Sequence, residues 1–264
     1  MSLCKKILAI SFKEKSIFRF DYLVSTAFSF LYIVLKVSLW KGLYGIGAGA
    51  VNGIILNEMI VYSILSSFTE GVTKTSVMKE LNDIVLDGSI SNHLLLPIGL
   101  KKYMFINSVT KNIFWTIYGI VPSALMAVLF FGIRFEIRFS GLVLYMLSLL
   151  MGILINFLYS FLFGSSVIWF RNSFFLNNMN SVLLKLFSGA LVPLWFFPSG
   201  LRALSDFLPF RYIVFEPTAI LLNNRSAVET GSVLLMQLLW IAILFGGVTF
   251  VWNRGRNKLM IQGG

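Results

Sequence analysis

Polar side chains recur at helical spacing within two of the apolar segments of this chain. The first stripe comprises Ser63, Ser66, Ser67, Glu70 and Lys74, and the second comprises Asn177, Ser181, Lys185 and Ser188. Residues three and four apart lie on one face of a helix. Ionisable side chains inside a membrane span cost about 2.5–3.5 kcal/mol each and usually face a bundle interior or a wet cavity. The two stripes therefore predict two helix faces that meet along a common polar path.

Glu70 and Lys185 lie at comparable depths along these two helices. At 1.5 Å per residue, Glu70 is about 10 Å and Lys185 about 14 Å from the same end of the bundle. We expect both to face the central interface, either paired with each other or bordering a wet cavity separately. The competing interpretation is that Glu70 and Lys185 snorkel to the membrane surface and that the serines only pack helices together.

Two other polar features of the apolar segments are interpreted as structural. Lys36, in the first segment, is interpreted as snorkelling or as locally paired. The fourth segment has a small or polar residue at every fourth position, namely Ser148, Gly152, Asn156, Ser160 and Gly164. Such spacing lets two helix backbones approach closely, so we predict that this stripe packs inside the bundle.

The sequence lacks the patterns that nucleotide binding, metal binding or catalysis would need. It contains no G-x-x-x-x-G-K-[ST] loop, which argues against a P-loop phosphate site on this chain. Its one histidine, His93, and its one cysteine, Cys4, are far apart in the sequence, and no HExxH motif occurs. We therefore expect a protein that is not itself an enzyme and that binds no cofactor or metal.

The composition indicates that membrane helices position these polar residues. Of 264 residues, 57% are hydrophobic and 12% are charged, whereas soluble domains carry roughly 25% charged residues. The net charge of +11 is spread between apolar runs. This distribution is typical of membrane topology signals rather than of a basic stripe that binds nucleic acid. We therefore expect membrane lipids around the chain and no nucleic-acid partner.

Six apolar segments approach the length of about 20 residues that a membrane-spanning helix needs. They cover residues 22–44, 56–77, 112–133, part of 139–170, 174–197 and 230–252. We predict an all-α integral membrane protein, a single transmembrane domain over 1–264, with six transmembrane helices within 21–253. Residues 1–20 are predicted to form an amphipathic interfacial helix. Residues 198–229 are predicted to contain a short outer re-entrant helix before the last span, and 254–264 to form a tail.

The distribution of Lys and Arg predicts the orientation in the membrane. If both termini are cytoplasmic, fourteen Lys and Arg residues lie inside and five lie outside. Cytoplasmic loops carry an excess of these residues. We therefore expect both termini and the segment 78–102 in the cytoplasm, and the segments 45–57 and 198–229 outside.

Two stretches of the sequence carry a resemblance to a known family. The first is IVLDGSISNHLLLPIGLKKYMF (84–105), and the second is SGALVPLWFFPSGLRALSDFLPFRYIVFEPTAILL (188–222). The second contains Pro193, Pro198, the LPF motif at 208–210 and a P-x-x-I-L motif at 217–221. Together with six predicted spans and an amphipathic N-terminal helix, these motifs resemble bacterial permeases of the type-2 ABC exporter class.

The resemblance implies a permease subunit of an ATP-driven exporter in a bacterial cytoplasmic (inner) membrane. Two such permeases, identical or related, would form the transmembrane unit, with spans two and five lining the translocation path between them. Two copies of a separate ABC ATPase subunit would bind ATP and Mg²⁺ and dock from the cytoplasm. The loop between spans two and three would receive them, and we assign ATPase coupling to its charged residues Lys79, Glu80, Asp83, Asp87 and His93. No motif of the class corresponds to Glu70 or Lys185, so their role rests on the physical argument alone.

Two other functions compete with this interpretation. A stand-alone secondary transporter or channel would need inverted repeats and paired helix breaks, and only Pro193 indicates a break. An intramembrane enzyme would need a carboxylate pair or a histidine on one membrane face. A neighbouring gene that encodes a P-loop protein would favour the exporter. The sequence does not identify the cargo, which could be a drug, a lipid, a glycolipid or a peptide.

Overall fold

The computed structural model describes residues 19–45, 50–51, 53–94, 97–133, 139–170, 173–222 and 225–262. These residues form a helical protein with one small hairpin, in which Ala50–Val51 pairs antiparallel with Ile54–Ile55. The hairpin lies in the glycine-rich segment that the sequence indicates as a loop. The amphipathic helix predicted for residues 1–20 lies outside the described residues, apart from its last two positions.

The helices follow one another with short connections. In chain order they are α1 (Arg19–Tyr44), α2 (Leu56–Thr73), α3 (Val77–Leu86), α4 (Ile90–Leu94), α5 (Leu100–Trp115), α6 (Val121–Phe131), α7 (Phe139–Ser165), α8 (Val167–Phe170), α9 (Ser173–Phe187), α10 (Ser199–Asp206), α11 (Phe215–Leu221) and α12 (Ala227–Gln262). A π-helical turn, Thr116–Ile120, joins α5 to α6. Short 3-10 turns at Leu194–Phe196 and Pro209–Tyr212 flank α10.

Four helical stretches of the described chain are long and apolar enough to cross a membrane, namely Leu23–Tyr44, Leu100–Phe131, Phe139–Phe170 and Ala227–Gly255. This agrees with an all-α membrane protein. The helices α2 and α9, which correspond to the second and fifth predicted spans, are not among these four. In α2, thirteen of eighteen residues are buried inside the protein. By length and composition, the described residues therefore contain four candidate spans, and the total of six remains a prediction.

Helix α7 is the centre of the bundle. Half of its most apolar window is buried within the protein, against 22–28% for the other three spanning stretches. A Cβ atom on Gly152 would lie 3.0 Å from the carbonyl oxygen of Ile213, and one on Gly164 would lie 3.1 Å from the Cα of Met78. The other stripe members, Ser148, Asn156 and Ser160, are buried. The predicted close packing along this stripe is confirmed.

The π-helical turn between α5 and α6 has a local cause. Pro122 has no N–H, so the carbonyl of Tyr118 loses its usual partner four residues later. The hydroxyl of Thr26 on α1 donates a hydrogen bond to this carbonyl, at 2.7 Å. Neighbouring Ser and Thr hydroxyls commonly satisfy such freed groups in membrane helices. The wider turn places Ile120 against Gly71 of α2, where any side chain would overlap it.

The fifth predicted span is shorter than the sequence indicates, because α9 ends at Phe187 rather than near 197. Gly189 has a φ of 76°, which ends the helix in the left-handed region that glycine tolerates. Pro193 follows and has no N–H with which a helix could continue. The chain from 188 to 193 is therefore non-helical before it enters the short elements that lead to α11.

Candidate functional site

A cavity of about 590 Å³, the polar cavity, lies between α1, α2 and α9, and apolar side chains such as Phe28, Ile33 and Leu184 line it beside the polar ones. Its hydroxyl, amide and charged lining residues are Ser25, Ser29, Tyr32, Ser67, Glu70, Thr73, Lys74, Thr75, Ser123, Asn156, Asn180, Ser181, Lys185 and Ser188. Phe28 and Tyr32 of α1 and Lys185 of α9 are exposed at its rim. The cavity is therefore open at the side, between α1 and α9.

The cavity brings together residues from both predicted stripes. Of the eight proposed path residues, Ser67, Glu70, Ser181, Lys185 and Ser188 line it. The remaining three are Ser63 and Ser66, which are buried beneath it, and Asn177. The side chain of Asn177 instead accepts a hydrogen bond from the amide of Asn82 on α3, at 3.3 Å.

Glu70 and Lys185 line this cavity without forming an ion pair in the part of the chain that the structure describes. The carboxylate of Glu70 accepts a hydrogen bond from the Tyr32 hydroxyl, at 3.3 Å. Lys185 is exposed near the end of α9. The α2 and α9 charges therefore contribute to the same surface, with Tyr32 of α1 as the closest described partner of the carboxylate.

Lys36 is a buried cation that connects α1 to both α2 and the end of α9. It is 4% exposed, and its ammonium donates to the Ser66 hydroxyl at 2.6 Å and to the carbonyl of Ala190. The Ser63 carbonyl and the Ser67 hydroxyl are 3.4 Å away. A cation just past a helix C-terminus is also favoured by the helix dipole. Of the two interpretations of Lys36, local pairing agrees with the structure and snorkelling does not.

In the non-helical segment after α9, backbone carbonyl groups without a helical partner accept hydrogen bonds from other elements. The carbonyl of Ser188 accepts from the Phe215 amide at 3.0 Å, and that of Gly189 accepts from the Tyr62 hydroxyl at 2.7 Å. Lys36 supplies the donor for the third carbonyl, that of Ala190. Irregular backbone at membrane depth is tolerated only where protein or a wet cavity surrounds it. This segment therefore closes one side of the cavity and depends on α1, α2 and α11.

The contribution of α1 was missed by the stripe argument, although the sequence contains its signal. Ser25, Ser29, Tyr32 and Lys36 follow one another at intervals of four, three and four residues, which places them on one helix face. The first three line the cavity and the fourth lies behind it. Counting polar positions in the first apolar segment, as in the second and fifth, would have found this face.

The residues assigned to ATPase coupling separate into two groups on α3 and α4. Helix α3 buries Val77, Met78 and Leu81 against the bundle. Its opposite face exposes Lys79, Asp83, Leu86 and Asp87. The Ser89 hydroxyl and amide hydrogen-bond to Asp87 and lower the pKa of its carboxyl, so this residue stays ionised at neutral pH.

The other two coupling candidates are held within the protein. The carboxylate of Glu80 accepts hydrogen bonds from Lys111, from Ser76 and, at 3.3 Å, from Asn107. This arrangement joins α3 to α5. The ring of His93 lies 5.5 Å from that of Tyr103. Glu80 and His93 are therefore in internal contacts, whereas Lys79, Asp83 and Asp87 are available to a partner.

A buried carboxylate beside the cavity was also missed, because the sequence presents it only as one charge in a loop. Glu216 is 1% exposed and is bound by Arg211, through Nε at 3.0 Å, and by Arg225, through two contacts of 2.8 Å. Asp206 forms an ion pair with the same Arg211. This charge cluster ties the start of α11 to the segments on either side of it.

The groups in the wall of the cavity can form hydrogen bonds and attract charge. Among the described residues, no group of three His, Cys, Asp or Glu side chains could hold a metal ion. The cavity offers hydroxyls, amides and three charged groups distributed over several helices.

Comparison with known proteins identifies the family. A family model described as ABC-2 family transporter protein matches residues 30–263. No curated protein and no solved structure gave a significant match. The family match supports the resemblance drawn from 84–105 and 188–222, and it makes the chain a membrane transport component rather than an enzyme in its own right. The chain belongs to the ABC-2 family of transporter proteins.

Proposed function

We propose that this chain is the permease subunit of an ATP-driven exporter and that the polar cavity is its share of the translocation path. The observation that carries the proposal is the convergence of polar faces from α1, α2 and α9 on one cavity. In a family of membrane transport components, a water-accessible surface of this kind is where cargo would pass.

A second permease, identical or related, would complete this path. Ser181 and Lys185 of α9 are exposed beside Val182 and Leu186, which are also exposed. A polar face on a membrane helix is costly against lipid and is stabilised against protein or water. The open side of the cavity, between α1 and α9, is therefore the surface that a second permease would cover.

Energy would come from two copies of an ABC ATPase subunit, which bind ATP and Mg²⁺ on their own chains. The exposed face of α3, defined by Lys79, Asp83, Leu86 and Asp87, is the surface that would receive them. It combines charges of both signs with one apolar side chain on a helix that is anchored to α7 and α5. Co-purification of the full chain with the ATPase from a neighbouring gene tests this assembly. Its failure would favour the stand-alone transporter or channel.

Charge reversal on this face of α3 should uncouple the permease from its ATPase. We expect Asp83→Lys combined with Asp87→Lys to weaken ATPase association at least tenfold, because like-charge contacts at an interface cost several kcal/mol and about 1.4 kcal/mol already corresponds to a factor of ten. Transport should fall with it, while membrane insertion is unchanged. The control is Glu58→Lys, which reverses the charge of an exposed side chain in the first turn of α2, at the end of that helix away from α3. Equal ATPase retention by the double variant and the control would remove α3 from the coupling surface.

The proposed orientation places α3 and both termini in the cytoplasm of a bacterium and the segment 198–229 outside. It is tested with single cysteines in a chain whose Cys4 is replaced by serine. We expect a cysteine introduced at Ser226 to react with an impermeant maleimide in intact cells. A cysteine at Asp83 should react only after the cells are opened, since the Lys and Arg distribution places its segment inside. The reverse pattern would invert the topology.

A further inference from the structure

We infer that the polar cavity binds an amphiphile with an anionic headgroup, held by the ammonium groups of Lys74 and Lys185, and that this is the class of cargo. The inference rests on the proposed function, since it names what the proposed translocation path would carry. Its two supports are the charge of the cavity and the apolar side chains that line the cavity together with the lysines.

The charge of the cavity is positive. Lys74 and Lys185 line it together with one carboxylate, Glu70, and the buried ammonium of Lys36 lies directly behind Ser67. Within the described residues neither lining lysine forms an ion pair, and the Lys74 ammonium lies 5.3 Å from the centre of the Trp115 ring. Glu70 already accepts from Tyr32. A cleft with low-dielectric walls and an excess of one sign attracts the opposite charge.

Apolar side chains line part of the same cavity. Phe28, Ile33, Ile120 and Leu184 contribute to its wall beside the hydroxyl and charged groups. An alkyl chain next to the headgroup would be stabilised by contact with these side chains, at about 25 cal/mol for each Å² of apolar surface removed from water. A soluble anion would bind the lysines and leave these apolar side chains without a contact.

Binding can be measured on the purified full chain in nanodiscs of neutral lipid. The probe is dodecyl phosphate brominated beside its headgroup, which quenches Trp115 when the cavity is occupied. Unlabelled dodecyl phosphate should compete at least tenfold better than dodecyltrimethylammonium, dodecanol or inorganic phosphate. Because the chain contains six Trp residues, the readout is the part of the quenching that Trp115→Phe removes, and a variant with unchanged quenching would overturn the assignment.

Matched variants test the role of the two lysines. We expect Lys74→Gln and Lys185→Gln each to weaken dodecyl phosphate binding about tenfold, and Lys185→Arg to retain it. Lys102→Gln, at an exposed position outside the cavity, should have no effect. Equal competition by the three amphiphiles would overturn the charge preference, and equal competition by inorganic phosphate would overturn the amphiphile.

The assay separates this inference from the function on which it rests, because binding needs no ATPase. Selective binding by a chain that retains no ATPase would keep the ligand class and overturn the ATP-driven exporter. ATPase retention with no charge preference among the probes would overturn the ligand class alone.

Discussion

Replacing Glu216 with glutamine is expected to lower the free energy of unfolding by about 3–5 kcal/mol, because two guanidinium groups lose their buried counter-charge. Glu216 is 1% exposed, and both Arg211 and Arg225 bind it. Glutamine keeps the size of the side chain, so the loss measures charge rather than packing. Transport should fall as well, since Ile213 and Val214, beside this cluster, line the cavity.

The matched control for this effect is Asp206→Asn. Asp206 pairs with the same Arg211 but is 50% exposed, and exposed pairs contribute about 0–1 kcal/mol. Unfolding in mixed micelles with increasing denaturing detergent compares the two variants directly. Similar losses of unfolding free energy in the two variants would show that the burial of Glu216 does not determine how much this charge cluster stabilises the protein.

Replacing Lys36 with methionine is expected to abolish transport and to lower stability by about 1–3 kcal/mol. The carbonyl of Ala190 would lose its charged donor inside the protein, and an unsatisfied buried group costs this much. Without that contact, the segment after α9 loses its bond to α1 and is held only by the hydrogen bonds from Tyr62 of α2 and Phe215 of α11. Ser188, and with it one wall of the cavity, would shift.

Hydrogen exchange of the amides at 188–192 measures the change at its source. It should accelerate in Lys36→Met and stay unchanged in Lys41→Met. Lys41 is an exposed lysine five positions further along α1, whose ammonium lies over the ring of Phe131. Normal exchange together with normal transport in Lys36→Met would contradict the role given to this contact.

Periodicity in the sequence predicts which helix faces carry polar or small residues, and the structure agrees where such a face continues over several turns. The α7 stripe packs as predicted, and α3 ends before Gly88, whose φ of 77° stops the helix. The low hydropathy of α2 also has a physical explanation. A helix surrounded by protein on most sides gains little from apolar side chains that would otherwise face lipid.

What the sequence could not predict depends on partners that are distant along the chain. A lysine in an apolar segment has the same local sequence whether it snorkels or binds a backbone carbonyl, and the partner of Lys36 is 154 positions away. Likewise, Glu216 and Arg225 are nine positions apart, and no periodicity relates them. The end of α9 at Phe187 depends on donors from α1, α2 and α11, which periodicity in 174–197 does not contain.

The π-helical turn at Thr116–Ile120 has a mechanical consequence. A helix interrupted in this way can bend at the interruption, and the turn is hydrogen-bonded to α1 through Thr26. Helix α5 is attached to α3 by the ion pair between Lys111 and Glu80. A displacement of α3 would therefore move α5 about this turn and shift Trp115, which lies at the end of α5 and lines the cavity.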